Sequence, residues 1–135
     1  MIAQLLMVAS SLIILSLGLM HIWITFRGNK LSPREPGLQE KLSQSHLVLT
    51  RQTTFWRAWI GFNASHSFGA ILFSLIYGYF ALQQPDLLFH SIFLLSLGLL
   101  FLVGYFILGK AYWFSVPFRG ISLALTCYIA SMFVY

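Results

Sequence analysis

Four long apolar runs divide the chain, and polar segments separate them. The runs cover residues 2–26, 55–82, 87–109 and 117–135, here numbered as spans one to four. Each is about as long as a helix that crosses a bilayer, which needs about 20 mostly apolar residues. The polar turn between spans two and three is so short that these spans should form an antiparallel hairpin. The pattern predicts an all-α integral membrane protein, a four-transmembrane-helix bundle with residues 1–135 in a single domain.

The only long hydrophilic segment is the loop at residues 27–54. Apolar and small polar residues recur there at helical spacing, namely Leu38, Leu42, Ser45, His46 and Leu49. This spacing predicts a short amphipathic helix that lies in the membrane interface. The loop would then be either a lid or docking site for a partner, or an ordinary connector resting on lipid headgroups.

Composition agrees with a membrane location. Of 135 residues 59%, about 80, are apolar and only 8% are charged. A soluble domain usually carries roughly 25% charged residues, and a disordered chain is far less apolar. Both classes are therefore excluded, and the lipid bilayer is the first partner that the sequence predicts.

The charges are distributed unevenly along the chain. The net charge is +5, from 8 Lys and Arg and 3 Asp and Glu. All the basic residues lie between or beside spans one and two, or flank the turn between spans three and four: Arg27, Lys30, Arg34, Lys41, Arg51, Arg57, Lys110 and Arg119. The positive-inside rule then places this side in the cytoplasm and both termini outside. Topology explains the basic charge, so no nucleic-acid partner is expected.

Aromatic residues accompany the basic residues at the start of span two. Trp56 and Trp59 flank Arg57, as in the aromatic belt of a membrane interface. We expect these three side chains to contact lipid headgroups, with the Arg57 guanidinium reaching out to them along its apolar stem.

Small residues predict how the helices pack. Span two contains Gly61, Ser65 and Gly69 at four-residue spacing, a pattern that allows helix backbones to approach closely. The other spans carry similar stripes, which are Ser11, Gly18, His21 and Thr25, then Ser91, Gly98, Tyr105 and Gly109, and finally Gly120, Ala124, Cys127 and Ser131. Each stripe is expected to face a shared interior.

Polar residues at membrane depth are the strongest functional candidates, because they are costly there and usually face a bundle interior. Counting from Arg27 and Arg57 at 1.5 Å per residue, His21 and Asn63 lie at one depth, and His66 lies about one turn deeper. The sequence predicts hydrogen bonds among these three residues, joined by Tyr105 or Thr126.

Two interpretations of this polar layer remain open. In the first, the hydrogen bonds only hold the helices together. In the second, His21, Asn63 and His66, with Tyr105 and Thr126, bind a small hydrophobic ligand such as a lipid, quinone, pigment or haem. Two histidines without a carboxylate are weak evidence for a metal site, so none is predicted, and the identity of any cofactor stays open.

No catalytic machinery is recognisable. Ser65 and His66 are adjacent and therefore point about 100° apart on a helix, which prevents a simple nucleophile–base pair. No Asp or Glu lies within any span, since Asp86 belongs to the turn between spans two and three. The sequence therefore favours a protein without enzymatic activity.

Two motifs resemble those of a known family. Gly18-Leu-Met-His21 in span one and Gly61-Phe-Asn-Ala-Ser-His66 in span two resemble segments of small bacterial four-helix integral membrane proteins to which no activity is attached. The resemblance implies that His21, Asn63 and His66 are signature positions, and it implies the bacterial inner membrane. The leading functional hypothesis is an accessory or oligomer-forming subunit, either a homo-oligomer or part of a larger membrane complex.

Overall fold

The computed structural model describes all residues from 1 to 135, and 80% of them are helical. In chain order the elements are α1 (Ile2–Arg27), α2 (Leu38–Gln44), β1 (His46–Leu47), β2 (Thr50–Thr54), α3 (Phe55–Gln83), α4 (Pro85–His90), α5 (Ile92–Tyr112) and α6 (Ser115–Phe133). Helices α1, α3, α5 and α6 are long and apolar enough to cross a membrane. The all-α class and the four long helices are thus confirmed.

The third span differs from its prediction as a continuous helix from residue 87. The chain forms the short helix α4, breaks at Ser91, and begins α5 at Ile92. Ser91 has extended backbone angles, φ −90° and ψ 100°, and its side chain accepts a hydrogen bond from Leu94 N. A serine in this position caps a helix start by satisfying one of the free backbone N–H groups. The apolar run does not show this break, because the cap that begins α5 is formed by a single polar side chain, that of Ser91.

The long loop is helical over a shorter stretch than predicted. Helix α2 has only seven residues and buries none of them, and Ser45, which follows it, is extended. Strands β1 and β2 then form an antiparallel hairpin, with His46 opposite Thr54 and Leu47 opposite Thr50. The prediction of a helix that continues to residue 49 is therefore wrong. Valine and threonine, frequent in this segment, favour strands because of their branched side chains.

The chain forms two compact units. One comprises residues 1–17 and 70–135, and the other comprises residues 18–69. The first unit holds the main buried core, to which all four long helices contribute. Its members are Ala3, Met7, Ile14, Ala70, Phe73, Tyr77, Ala81, Leu88, Phe89, Leu102, Ile121, Ala124 and Tyr128. Spacings of three and four residues recur along α3 and α6, as expected for a stripe on one helix face. The prediction of a single domain stays a prediction.

Five of the buried positions are serines, and many large apolar residues outside the core are exposed. Ser67, Ser74 and Ser131 are buried, and their hydroxyls donate to carbonyl oxygens one turn earlier in their own helices. Leucine, isoleucine and phenylalanine dominate the exposed side chains of the four long helices. A soluble helical protein would bury most of these large apolar side chains.

The small residues Gly61 and Ser65 of α3, predicted to face the interior, lie on the exposed face of the helix. Gly61 and Ser65 are exposed, and a Cβ added to Gly61 would meet no other atom within 4 Å. The buried stripe begins instead at Asn63, two residues further along, which is more than half a turn around the helix. On α6, by contrast, a Cβ at Gly120 would come within 2.9 Å of Leu17, so the predicted close approach is present there.

Candidate functional site

The predicted bond between His21 and Asn63 is present. His21 lies on the C-terminal part of α1 and Asn63 near the start of α3, both within the unit of residues 18–69. His21 Nε2 is 3.0 Å from Asn63 Oδ1. Asn63 is buried and His21 half-buried. The contact joins two helices that are separated by the long loop in sequence.

The bond between Asn63 and Trp59 fixes which ring nitrogen of His21 donates to Asn63. Asn63 Nδ2 donates to the backbone oxygen of Trp59 at 2.8 Å. A carbonyl oxygen can only accept, so the amide nitrogen faces Trp59 and the amide oxygen faces His21. His21 Nε2 must therefore carry the proton that forms the bond. In the neutral ring Nδ1 is then the acceptor nitrogen.

His66 lies beside this pair, one helical turn after Asn63. The rings of His21 and His66 meet edge to face, with centroids 5.5 Å apart and planes at 79°. Two axial ligands bind a haem iron from opposite sides, and metal–nitrogen bonds of about 2.0–2.1 Å then separate the ring centroids by about 6 Å. The observed centroids are about half an ångström closer than that, and edge-to-face contact at this distance is the ordinary packing of two aromatic rings.

The cluster formed by His21, Asn63 and His66, called the polar cluster below, offers few ligands for a metal ion. No group of three or more His, Cys, Asp or Glu side chains comes together. A structural zinc site uses four protein ligands and a catalytic one usually three. Two imidazoles alone therefore do not form either kind of site, and the chemistry best supported at this cluster is hydrogen bonding between helices.

Two further hydroxyls belong to this cluster. Thr25 Oγ1 donates to the backbone oxygen of His21 at 2.7 Å, and Ser67 Oγ donates to that of Asn63 at 3.0 Å. Both side chains are buried. Ser67 is not among the residues that the sequence predicts for this cluster. Its position one turn after Asn63 would have identified it as a member, because residues four apart share a helix face.

The other two predicted ligand-binding residues lie in the unit of residues 1–17 and 70–135. Tyr105 is half-buried there, and its ring packs on Phe101 and Trp113, with centroids 4.3 and 5.9 Å away. Thr126 is exposed, and its hydroxyl donates to Ser122 O within α6. Ligand binding by the five predicted residues stays a prediction.

The three residues expected to contact headgroups lie in the first turns of α3. Arg57 is exposed, and its backbone N–H donates to Thr54 Oγ1 at 3.4 Å, which caps the helix. Trp59 is also exposed, and its indole N–H donates to Leu31 O at 3.3 Å. Trp56 is half-buried. The indole of Trp59 therefore also ties the loop to α3.

Sequence reasoning missed a pair of tyrosines in the other unit. Tyr77 on α3 donates to Leu94 O at 2.6 Å, and Tyr128 on α6 donates to Leu95 O at 3.0 Å. Their rings lie 5.8 Å apart. Both phenols reach the backbone of α5 where Gly98 leaves room, since a Cβ there would lie 2.6 Å from Tyr77 Cζ. The sequence signal that could have found Tyr77 is Ser74, a polar residue of the same span three positions earlier and therefore on the same helix face.

An open groove lies elsewhere in that unit. Met1, Gln4, Leu5, Val8, Ala81 and Leu82 line it. The lining is mainly apolar and includes none of the residues predicted to bind a ligand. The groove therefore adds no support to the ligand-binding interpretation.

Comparison with known protein families, with curated proteins and with solved structures finds no match to this chain. The resemblance to small bacterial four-helix membrane proteins stays a prediction. The geometry of His21, Asn63 and His66 is consequently the basis for assigning a function.

Proposed function

We propose that this protein is a non-catalytic, multi-pass protein of the bacterial inner membrane, with the loop at residues 27–54 in the cytoplasm and both termini outside. The exposed apolar surface of the four long helices supports insertion, because water would not tolerate so much of it. The grouping of the basic residues supports the orientation.

The bond between His21 and Asn63 is the observation that carries the proposed role. Inside a bilayer an unpaired amide or imidazole costs free energy, so polar partners on two helices hold those helices together. Both polar ends of the Asn63 amide are bonded, one to His21 and one to the Trp59 carbonyl. The cluster thus acts as a structural clamp between α1 and α3.

The proposed setting is an oligomer or a larger membrane complex in which this chain is an accessory subunit. The exposed Gly61 and Ser65 support it, because small residues on an outer helix face allow a second membrane helix to approach. Replacing Gly61 by isoleucine would then reduce the oligomer fraction in native mass spectra, whereas Leu72→Ile, on the same exposed side, would not. A monomeric wild-type protein would contradict this part of the proposal.

A double-mutant cycle tests the clamp. Replacing His21 by leucine, Asn63 by leucine, and both together should give a coupling free energy of about 0.6–1.7 kcal/mol, the range for hydrogen bonds between membrane helices. Unfolding in detergent micelles measures it. Thr126→Val, which alters an exposed hydroxyl bonded within its own helix, is the control and should change stability little. A coupling of zero would refute the clamp.

A second candidate function is the binding of a small hydrophobic ligand or of haem through a single histidine. The observation that favours it is the contact between the His21 and His66 rings, whose centroids lie 5.5 Å apart, because a single imidazole can serve as an axial ligand of haem iron. Absorbance and native mass spectra of the gently purified protein would then show a Soret band, a pigment or a retained lipid that His66→Leu removes without unfolding the chain. A clean spectrum together with a bare protein mass would exclude this function.

A further inference from the structure

The tip of the β-hairpin presents two apolar side chains directly to solvent. Val48 and Leu49 join β1 to β2; Val48 is fully exposed, and Leu49 is 92% exposed. The other leucines of the loop are half-buried: Leu31, Leu38, Leu42 and Leu47. Exposed valine and leucine at a hairpin tip are unfavourable in water, so this surface is suited to an apolar environment.

Basic side chains surround this tip in sequence. Residues 27–57 contain six Lys and Arg and two Glu, which gives a net charge of six minus two, or +4. All six basic residues are exposed, and Arg51 is two residues from Leu49. An apolar tip in a basic segment is complementary to an anionic lipid leaflet, where headgroup phosphates attract lysine and arginine and the acyl boundary accepts apolar side chains.

The hairpin is attached to the start of α3, where the membrane surface would lie. Phe55 N donates to Ser45 O at 2.9 Å and closes the base of the hairpin. A second bond ties the strands, because His46 Nδ1 lies 2.9 Å from Thr53 O. Leu49 lies six positions before Phe55, so an extended strand reaches about 20 Å at 3.3 Å per residue. The tip can therefore reach lipid beside the helix while its base stays fixed.

We propose that Val48 and Leu49 insert into the headgroup–acyl boundary of an anionic leaflet, and that Arg51 binds lipid phosphates beside them. The inference rests on the proposed function, in which α3 spans the membrane with this end in the cytoplasm. The hairpin would then anchor the loop against the cytoplasmic leaflet, and the occupant of the apolar tip is the protein's own bilayer.

A label at the tip tests the proposal in the full chain. A fluorophore sensitive to polarity is attached to Val48→Cys in a Cys127→Ala background, and the protein is reconstituted in phosphatidylcholine vesicles with or without phosphatidylglycerol. With phosphatidylglycerol, the emission should shift to shorter wavelength, and spin-labelled lipid should quench it several-fold more than without it. Arg51→Gln should reduce this difference. The matched control is the same label at Gln52, on the exposed edge of the hairpin, which should stay in water.

Flotation and carbonate extraction of the same vesicles separate the two proposals. A chain that floats and resists extraction, with a tip label that stays in water in both lipids, would overturn the hairpin inference and leave the proposed function standing. A tip label that is shielded in both lipids and in detergent, without lipid quenching, would show a protein contact instead and would also overturn the inference. A chain that carbonate extracts would refute the membrane proposal itself.

Discussion

At the scale of single residues, Gly98 determines how α5 meets its neighbours. Tyr77 and Tyr128 approach from α3 and α6 and donate to consecutive carbonyl oxygens of α5. Their hydroxyls and rings occupy the volume that a side chain at residue 98 would need. The absence of a Cβ therefore allows two interhelical hydrogen bonds to form at one place.

Replacing Gly98 by alanine should destabilise the fold. A methyl group would overlap the Tyr77 ring, and overpacking of this kind costs about 1–3 kcal/mol. Gly104→Ala, six residues later on α5, is the control, because a Cβ there meets nothing within 4 Å and alanine favours the helix. Unfolding in detergent measures both variants. Equal stabilities would show that the tyrosines move aside freely.

A second residue-scale prediction concerns Tyr135, which follows the end of α6. Its hydroxyl donates to Asp86 Oδ1 at 2.6 Å, and its ring stacks on Phe89 with centroids 4.3 Å apart. The hydrogen bond to the Asp86 carboxylate, with desolvation and the nearby negative charge, raises the pKa of Tyr135 above its ordinary value of 10.0. A raised tyrosine pKa means that this contact stabilises the fold below pH 10 and ceases to do so as the pH rises through the higher value.

Subtracting the alkaline absorbance titration of Tyr135→Phe from that of the wild type isolates the Tyr135 phenol among the six tyrosines. We expect its midpoint above 10, and Asp86→Asn should bring it back towards 10 because the amide removes the carboxylate charge. A midpoint that Asp86→Asn leaves unchanged would contradict the assigned cause.

At the scale of the elements, single polar side chains decided the boundaries that apolar runs do not reveal. The lengths of α1 and α3 could be predicted within one residue, since each ends where the polar residues begin. The break between α4 and α5 could not, because the residues on both sides of Ser91 are equally apolar. The hairpin could not be predicted for a different reason, since the leucines at residues 38, 42 and 49 recur at helical spacing although only residues 38–44 form a helix.

Replacing Ser91 by alanine should cost about 0.5–2 kcal/mol, the usual effect of removing a helix cap. The bond from Leu94 N to Ser91 Oγ, 3.3 Å long, is then lost. Ser91→Asn should retain most of the stability, because asparagine caps helices about as well as serine. Chemical unfolding in micelles compares the three proteins. Equal loss in both variants would indicate a packing role for the serine rather than capping.

At the scale of the whole molecule, the four long helices and the grouping of the basic residues predict how the chain is oriented across the membrane, and this orientation can be tested. Single cysteines are placed at Gln52 and at Gln84, both exposed, in a Cys127→Ala background. A membrane-impermeant thiol reagent added to intact bacterial cells should label residue 84 and spare residue 52, because the proposed topology keeps the basic loop inside. Permeabilised cells should show labelling at both sites. Labelling of residue 52 from outside would reverse the topology.

The order of polar and apolar residues by itself determined the number and type of the long helices and the lengths of α1 and α3, since twenty apolar residues in a row have few alternatives to a helix of that length. It also indicated that His21 and Asn63 would meet, because both lie six residues from an arginine at a helix end. Only the tertiary structure decided which face of α3 is buried. Gly61 and Asn63 were equally plausible in sequence, and a rotation of α3 about its axis, determined by how all its neighbours pack, buried the asparagine and exposed the glycine.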